Sequence, residues 1–244
     1  MKIAIVNYVG KTGKTTLAAN LFAPRMPDAP LLAIESTNES AASLGVDVDQ
    51  IRGERFREIV TRLARLDDAI IDVGASNIED FLAGLGRFAD ASDDIDRFIV
   101  PCVPGSREER ETVSMIGTLA GLGITANKLR IVFNRVQRDV TEEFPLLLKF
   151  VEREQVCIAD PAATVYENEV FDLLSRRGLC LSQAISDPQD YKAALRALPK
   201  DADPREAARL EDMFAIKALA RAASANLDTV FSAIVEEGKE VSDE

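Results

Sequence analysis

The sequence predicts an α/β fold: a mostly parallel β-sheet with helices on both faces, and further helices appended at the C-terminus. Three observations predict it. Short apolar runs alternate along the chain with amphipathic helical patterns, which is typical of parallel sheets. The strand-like runs are apolar throughout, as strands buried on both faces are. After residue 198 the strand-like runs stop and only helical patterns remain.

Six short runs are apolar and rich in β-branched residues, which favours strands over helices. They lie at 2–7, 31–35, 69–73, 97–102, 129–134 and 156–159. Five longer segments repeat apolar residues at spacings of three and four, the period of an amphipathic helix. They lie at 54–66, 78–88, 107–122, 142–154 and 165–177. A further short helix is predicted over 17–22, ending before Pro24.

A polar, proline-containing segment at 199–206 divides the chain into two predicted parts. Residues 1–198 form the α/β domain, and 199–244 form an extension packed on it, with two helical stretches and an acidic, frayed tail. Helices that lie on membranes favour basic flanks, whereas residues 200–244 hold six Lys or Arg against eleven Asp or Glu. The last stretch is therefore expected to dock on the core or on a partner through its apolar stripe. The stripe consists of Leu227, Val230, Phe231, Ile234 and Val235.

The composition excludes several classes of protein. The chain has 244 residues, and 47% of them are hydrophobic, which is enough to bury a full core. No apolar run approaches the roughly 20 residues that span a membrane. The sequence has no histidine, which excludes a histidine triad and a histidine-ligated zinc site. Three scattered cysteines fit a reducing cytoplasm, and a net charge of −12 makes any contact with DNA indirect.

The first predicted strand runs directly into the loop Tyr8-Val9-Gly10-Lys11-Thr12-Gly13-Lys14-Thr15. Such loops bind phosphate because successive backbone amides and the start of the next helix point at the anion. Lys14 is expected at the β- and γ-phosphates, Thr15 on Mg²⁺ and Thr16 at the α-phosphate. The usual pattern opens with glycine, so Tyr8 either covers the site or packs beside it. The residues expected to bind the phosphates are Gly10, Lys11, Thr12, Gly13, Lys14, Thr15 and Thr16.

Side chains at the ends of other predicted strands are expected to support this loop. Asp72 ends an apolar strand, where a carboxylate can bind Mg²⁺ through water, and Gly74 can offer its amide to the γ-phosphate. Glu35 either acts near the metal and the attacking water or is a solvated strand end. Asn134 ends a later strand and can read a base edge, because an amide both donates and accepts hydrogen bonds. Asp160 lies in a turn that can close over the base.

Together these motifs resemble the ParA/MinD group of P-loop ATPases, whose Walker A loop is deviant, over about residues 1–185. Within that group the chain is most similar to the StbB proteins of plasmid stability operons, through "MKIAIVN", "GKTGKTT" and "LFAPRMPDAPLLAIESTN". The resemblance implies a switch that binds ATP and Mg²⁺, forms a homodimer around two nucleotides and is reset by hydrolysis. It also implies a role in plasmid stability, partition or conjugative transfer beside a small plasmid-encoded DNA-binding protein.

The chain departs from the pattern of that group at two places. Val9 occupies the position of the signature lysine that reaches across the dimer, and Lys11 is either its substitute or a solvated residue. The group often ends its second strand with Asp-x-Asp, whereas this chain has Glu35 and Thr37 there. The second acid helps to aim water, so the resemblance implies slow hydrolysis. The residues to which it gives catalytic roles are Lys14, Asp72, Glu35 and Lys11.

Two other functions remain open from the sequence. The first is a regulatory protein that senses nucleotide without hydrolysing it, which the missing second acid also fits. The second is a small-molecule kinase or synthetase on the same fold. That function would need groups that bind an acceptor substrate, and the sequence shows no clear motif for them.

Overall fold

The computed structural model describes residues 1–35, 45–51, 55–88 and 91–236 of the chain. It contains seven strands: β1 Lys2–Ile5, β2 Leu31–Ile34, β3 Asp49–Ile51, β4 Ala69–Val73, β5 Arg97–Cys102, β6 Leu129–Val136 and β7 Thr164–Tyr166. The helices before β7 are α1 Lys14–Leu17, α2 Phe56–Leu63, α3 Ile78–Arg87, α4 Ser106–Gly121, α5 Val140–Glu143 and α6 Pro145–Glu154. Those after it are α7 Val170–Arg177, α8 Leu181–Ser186, α9 Tyr191–Ala197 and α10 Pro204–Val235.

The strands form one parallel sheet in the order β3-β2-β4-β1-β5-β6-β7. Strand β1 lies at the centre, where it pairs in parallel with β4 on one side and with β5 on the other. All seven carboxyl ends therefore meet at one edge of the sheet, which is where α/β proteins bind their ligands. The predicted α/β fold with helices on both faces is confirmed.

Each face of the sheet is covered by its own hydrophobic core. Neighbouring residues of β1 alternate between the two cores, because successive side chains in a strand point to opposite faces. Ala4 belongs to the core beneath α2, α3, α4 and α6, whereas Ile3 belongs to the core beneath α1 and α7 to α10. Burial on both faces explains why the strands read as continuous apolar runs.

Five of the six predicted strands are present, and the sixth is misplaced. The prediction of a strand at 156–159 is wrong, because in that segment only Ile158 forms an isolated bridge, with Arg130. The last strand is instead β7, which occupies the start of the segment 165–177 that was predicted to be helical. The sequence pattern does not predict β3, since this edge strand has three residues, two of them exposed, and lacks an apolar run.

Proline has different effects at two predicted helices. The predicted helix 142–154 is divided at Pro145 into α5 and α6. The prediction that the first helix stops before Pro24 is wrong, because α1 continues as a π-helix over Ala18–Phe22 and a 3₁₀ turn over Ala23–Arg25. Pro24 fits at the start of that turn, where its missing N–H is not needed. The Arg25 Nη1 group donates to the carbonyls of Asn20 and Leu21 instead.

The C-terminal part forms one helix of 32 residues, α10, rather than the two predicted stretches. No glycine or proline interrupts it after Pro204, and the Asp203 side chain caps its first turn. Its buried residues recur every three or four positions and join the core that contains Ile3. Phe231 of the predicted stripe contacts Phe22 edge to face. The division into 1–198 and 199–244 stays a prediction, and residues 237–244 of the predicted tail lie outside the described residues.

The described helices include none that is both long enough and apolar enough to span a membrane.

Two helical glycines give a matched test of packing between α2 and α3. A Cβ atom on Gly84 of α3 would lie 2.1 Å from the ring of Phe56, whereas one on Gly117 of α4 would meet nothing within 4 Å. We expect Gly84→Ala to lower the free energy of unfolding by about 1–3 kcal/mol through overpacking. Gly117→Ala is expected to raise it by roughly 0.5–1 kcal/mol through helix propensity. Urea unfolding of both variants checks this, and equal stability of the two would contradict the close packing of Phe56 on Gly84.

Candidate phosphate-binding site

The predicted loop lies between the central strand β1 and helix α1, at the carboxyl edge of the sheet. Gly13, the residue before α1, has φ of 87°, a left-handed conformation that glycine adopts without strain. Lys11 also has positive φ, at 62°, and its side chain is exposed. The backbone therefore curls before the helix starts, as a loop that wraps an anion must.

Asn7 holds the entrance of the loop in place, although the sequence analysis did not select it. Its buried Nδ2 group donates to the Pro101 carbonyl at 2.8 Å and to Thr112 Oγ1 at 2.9 Å, while its Oδ1 accepts from the Val9 amide at 3.1 Å. One side chain thus ties the loop to β5 and α4. An asparagine at the end of a strand that leads into a glycine loop was the available signal.

Tyr8 packs away from the site rather than covering it. Its ring is partly buried against the core beneath α4, and its hydroxyl donates to Thr118 Oγ1 at 3.2 Å. Of the two roles that the sequence left open for this tyrosine, the structure shows the packing role. The residue that replaces the usual first glycine therefore leaves the concave side of the loop accessible.

Lys14 is buried within the loop, with 7% of its surface exposed. Its ammonium donates to the carbonyls of Asn7 at 3.3 Å and Val9 at 3.0 Å. Burial lowers the pKa of Lys14, while the negative charges of Asp72 and then Glu35 raise it. The structure thus brings together three of the predicted site residues, Lys14, Asp72 and Glu35.

Asp72 is more deeply buried, with 1% of its surface exposed at the end of β4. Its Oδ2 accepts from the Thr15 hydroxyl at 2.7 Å, and its buried Oδ1 has no hydrogen-bond partner among the described residues. Burial raises the pKa of Asp72, opposed by the Thr15 hydrogen bond and then by Lys14. A hydroxyl and a carboxylate side by side are oxygen ligands of the kind that Mg²⁺ takes, together with several waters.

Asn134 holds the loop from the other side, so its amide is engaged differently from the base-reading role predicted for it. Its Nδ2 donates to the Thr12 carbonyl at 2.8 Å, and its Oδ1 accepts from the Arg135 amide at 3.0 Å. A Cβ atom on Gly13 would lie 2.4 Å from this Nδ2. The close approach explains why residue 13 must be glycine, beyond its positive φ. Strand β6 bulges at this point, where Arg135 has φ of 59°.

A cleft of about 220 Å³ opens beside Gly13 and Thr16. Asn134, Asn168 and Tyr166 are among the residues that line it. These last two follow from the placement of β7, which the sequence analysis misassigned as helix. Asp160, predicted to close over the base, is not among the described residues that line the cleft, and its carboxylate accepts from the Ala162 amide.

The remaining predicted residues take up varied positions. The Gly74 amide, predicted to reach a γ-phosphate, donates to the Ile34 carbonyl at 3.0 Å, so that role requires this bond to open. Thr12 is buried, and Gly10 has open space around its Cα. Thr37, which replaces the second acid of the ParA/MinD pattern, lies outside the described residues. Within the ranges that the structure describes, no group of three or more His, Cys, Asp or Glu could hold a metal ion.

Solved structures with a similar architecture include MinD proteins and McdA. MinD from Aquifex aeolicus is 15% identical, with a TM-score of 0.53 over 92% of this chain and 96% of that one. The chain has the MinD-type fold. MinD from Pyrococcus horikoshii, complexed with Mg-ADP, is 17% identical with a TM-score of 0.52, over 87% of this chain and 93% of that one. Apo McdA from Cyanothece is 15% identical with a TM-score of 0.53, over 75% and 92%.

No protein-family model matches the chain, and no curated protein matches it in sequence. At these identities the likeness to solved structures shows the MinD-type fold alone. In this chain, Lys14 begins α1, directly after the loop that follows the first strand. Asp72 lies at the end of β4, the strand that pairs with β1.

The raised pKa of Asp72 predicts that its charge destabilises the protein without ligand. Because burial favours the protonated carboxyl, protonation of Asp72 stabilises the folded protein. This stabilisation is fully present below the pKa of Asp72 in the unfolded chain, near 3.8, and is lost as pH rises through its raised pKa in the folded protein. We therefore expect Asp72→Asn to unfold at higher urea concentration than the parent at pH 7. The difference should shrink as pH falls from the raised folded pKa toward about 3.8, and it should level off below that pH. Lower stability of the variant at pH 7 would contradict the burial of an uncompensated charge.

Proposed function

We propose that this chain is an ATP-binding switch of the ParA/MinD type, with Mg²⁺ as its metal ion. The observation that carries the proposal is the pairing of a buried lysine with a buried aspartate that accepts a hydrogen bond from Thr15, at one strand-to-helix loop. Neither charge is compensated in full by the protein, so the site favours a ligand that brings both an anion and a cation. A nucleoside triphosphate with Mg²⁺ has this composition.

The proposed roles follow the geometry of the loop. Backbone amides of 10–16 and the start of α1 bind the phosphates, because they present N–H groups to an anion. Lys14 would turn from its two carbonyl partners to the β- and γ-phosphates, Thr15 and Asp72 would hold Mg²⁺, and Thr16 would lie near the α-phosphate. The metal ion, when bound, would neutralise the charge of the phosphate groups. The nucleoside would extend into the cleft beside Asn134.

Two of the similar solved structures contain the proposed ligands. MinD from Pyrococcus horikoshii is complexed with Mg-ADP, and a Cyanothece McdA variant is complexed with ATP, with a TM-score of 0.50, 16% identity and coverage of 75% of this chain and 89% of that one. These names support ATP as the nucleotide of this chain, because the fold is shared. They are findings about those proteins, and the test for this one is direct binding.

We further propose that the switch acts in the cytoplasm in plasmid stability, partition or conjugative transfer, in the manner of StbB. It would form a homodimer when ATP binds and would work with a small DNA-binding protein. The net charge of −12 supports an indirect contact with DNA. In a gel-shift assay with ATP and no partner protein, strong binding of DNA would contradict that contact mode.

Hydrolysis in this proposal is slow. Val9 occupies the place of the signature lysine, and the exposed Lys11 makes no ion pair with the described residues. Glu35 lies close enough to raise the pKa of Lys14, and this placement supports a role near the phosphates over that of a remote solvated acid. The second candidate is a sensor that binds ATP without hydrolysing it. It is favoured by Lys11, which forms no ion pair with the described residues, and by Thr37, which replaces the second acid of the ParA/MinD pattern.

Lys14→Ala tests the site. Because the lysine ammonium is the one buried cation of the loop, we expect its loss to weaken ATP binding by about 100-fold or more, which corresponds to about 2.7 kcal/mol. The variant should stay folded, since burial of the ammonium costs stability. Isothermal titration calorimetry with Mg-ATP measures the affinity, and Lys149→Ala, at an exposed position of α6, is the matched control. Unchanged affinity in Lys14→Ala would refute the proposed site.

Asp72→Ala separates metal-dependent turnover from binding. We expect it to lower the rate of phosphate release by at least about tenfold, because a ligand of the metal is lost, and to reduce the affinity for ATP much less. The measurement is phosphate release per dimer at saturating Mg-ATP, beside calorimetry on the same samples. Parent protein that binds ATP but releases no phosphate would select the sensor over the ATPase.

A further inference from the structure

Two arginines lie at the amino edge of the sheet, opposite the candidate phosphate-binding site. Arg97 is the first residue of β5, and Arg130 is the second residue of β6. Arg130 is in register with Ile99, which lies two residues after Arg97. Because residues two apart in a strand share a face, both arginines lie on the face that carries Ile99 and Val132, beneath the core that includes α10.

Arg130 is buried without a partner for most of its guanidinium. Only 3% of its surface is exposed, and neither Nε nor Nη1 has a hydrogen-bond partner in the described part of the chain. The Nε atom of Arg97 is also buried and unpartnered among those residues. Three guanidinium nitrogens therefore lie out of water without an acceptor, although buried donors are nearly always satisfied. The remaining nitrogen of Arg130, Nη2, is not among these buried, unpartnered atoms.

The charges near Arg130 increase the cost of burying it. Burial lowers its pKa, and the positive charge of Arg97 lowers it further. Two acidic residues at this edge are engaged elsewhere: Asp96 accepts from the Lys2 amide at 2.7 Å, and Asp94 lies 3.9 Å from the Lys2 ammonium. Arg97 itself donates to a main-chain carbonyl, that of Asp96, at 2.9 Å. Among the described residues, neither of these two arginines forms a salt bridge with a carboxylate.

We propose that Arg97 and Arg130 form a binding site for a phosphate-type oxyanion. A buried charge without a counter-charge destabilises a protein, and the planar guanidinium fork matches the oxygens of phosphate. Two guanidinium groups match a divalent anion, which is the charge of inorganic phosphate or of a phosphomonoester near neutral pH. The site is independent of the proposed function, because it lies at the other edge of the sheet from residues 10–16.

Thermal unfolding of the full chain tests the site. All proteins carry Lys14→Ala, so that the nucleotide loop contributes little, and potassium phosphate is titrated at ionic strength held constant with chloride. We expect the unfolding temperature of the parent to rise as phosphate binds and to follow a saturation curve. The rise should be about 5–10 °C when the phosphate concentration is 100 times its dissociation constant. Arg130→Met should lose this rise, and in chloride alone it should unfold at the same temperature as the parent or higher, because an uncompensated charge has been removed.

Arg221→Met, at an exposed position of α10, is the matched control and should respond to phosphate like the parent. An equal, saturable rise in Arg130→Met would show that phosphate binds elsewhere, and no rise in the parent would show that it does not bind; either result would overturn the proposal. If Arg130→Met fails to fold, phosphate binding to Arg97→Met is measured by calorimetry instead. Loss of binding would support the proposal, and unchanged binding would overturn it. A parallel titration with glycerol 3-phosphate distinguishes the sources: tighter binding than phosphate indicates a phosphomonoester, and weaker binding indicates the free anion.

Discussion

The site depends on two opposite charges that the fold holds out of water at the carboxyl edge of the sheet. Burial lowers the pKa of Lys14 and raises the pKa of Asp72, so it favours the neutral form of each group. The attraction between the two charges offsets only part of this effect. Electrostatic interactions are stronger in such surroundings than in water. The same burial that makes these residues costly in the protein alone would therefore strengthen their hold on a phosphate and its metal ion, as perturbed groups at functional sites commonly do.

Two buried asparagines keep the loop between these charges in a single shape. Asn7 ties its start to β5 and α4, and Asn134 ties its middle to β6. Each uses its side-chain amide to bond main-chain groups of the loop, and each is buried. The loop is thus supported from both neighbouring layers before any ligand arrives, which is the condition for a site that binds without first having to fold.

The long C-terminal helix is part of this support rather than a separate layer. Arg25, at the end of the segment that begins with α1, donates to the Ser224 carbonyl at 3.0 Å and bonds the Asp228 carboxylate. The same guanidinium satisfies the carbonyls that Pro24 leaves open. Together with the contact of Phe22 on Phe231, this connects the helix that leads away from the candidate site to α10. A displacement of α1 would therefore act directly on the outer helix.

The sequence by itself determined the α/β class, five of the seven strands, the loop with Lys14 and Thr15, and the strand end with Asp72. These are local patterns: apolar runs, a 3.6-residue period and a glycine-lysine turn. The tertiary structure alone decided what depends on distant partners. Strand β3 exists because β2 pairs with it, α10 is continuous because a whole face of the sheet needs cover, and the amide of Asn134 turns to Thr12 because β6 brings them together. Hydrogen bonds between residues more than a hundred positions apart leave no periodic trace in a single sequence.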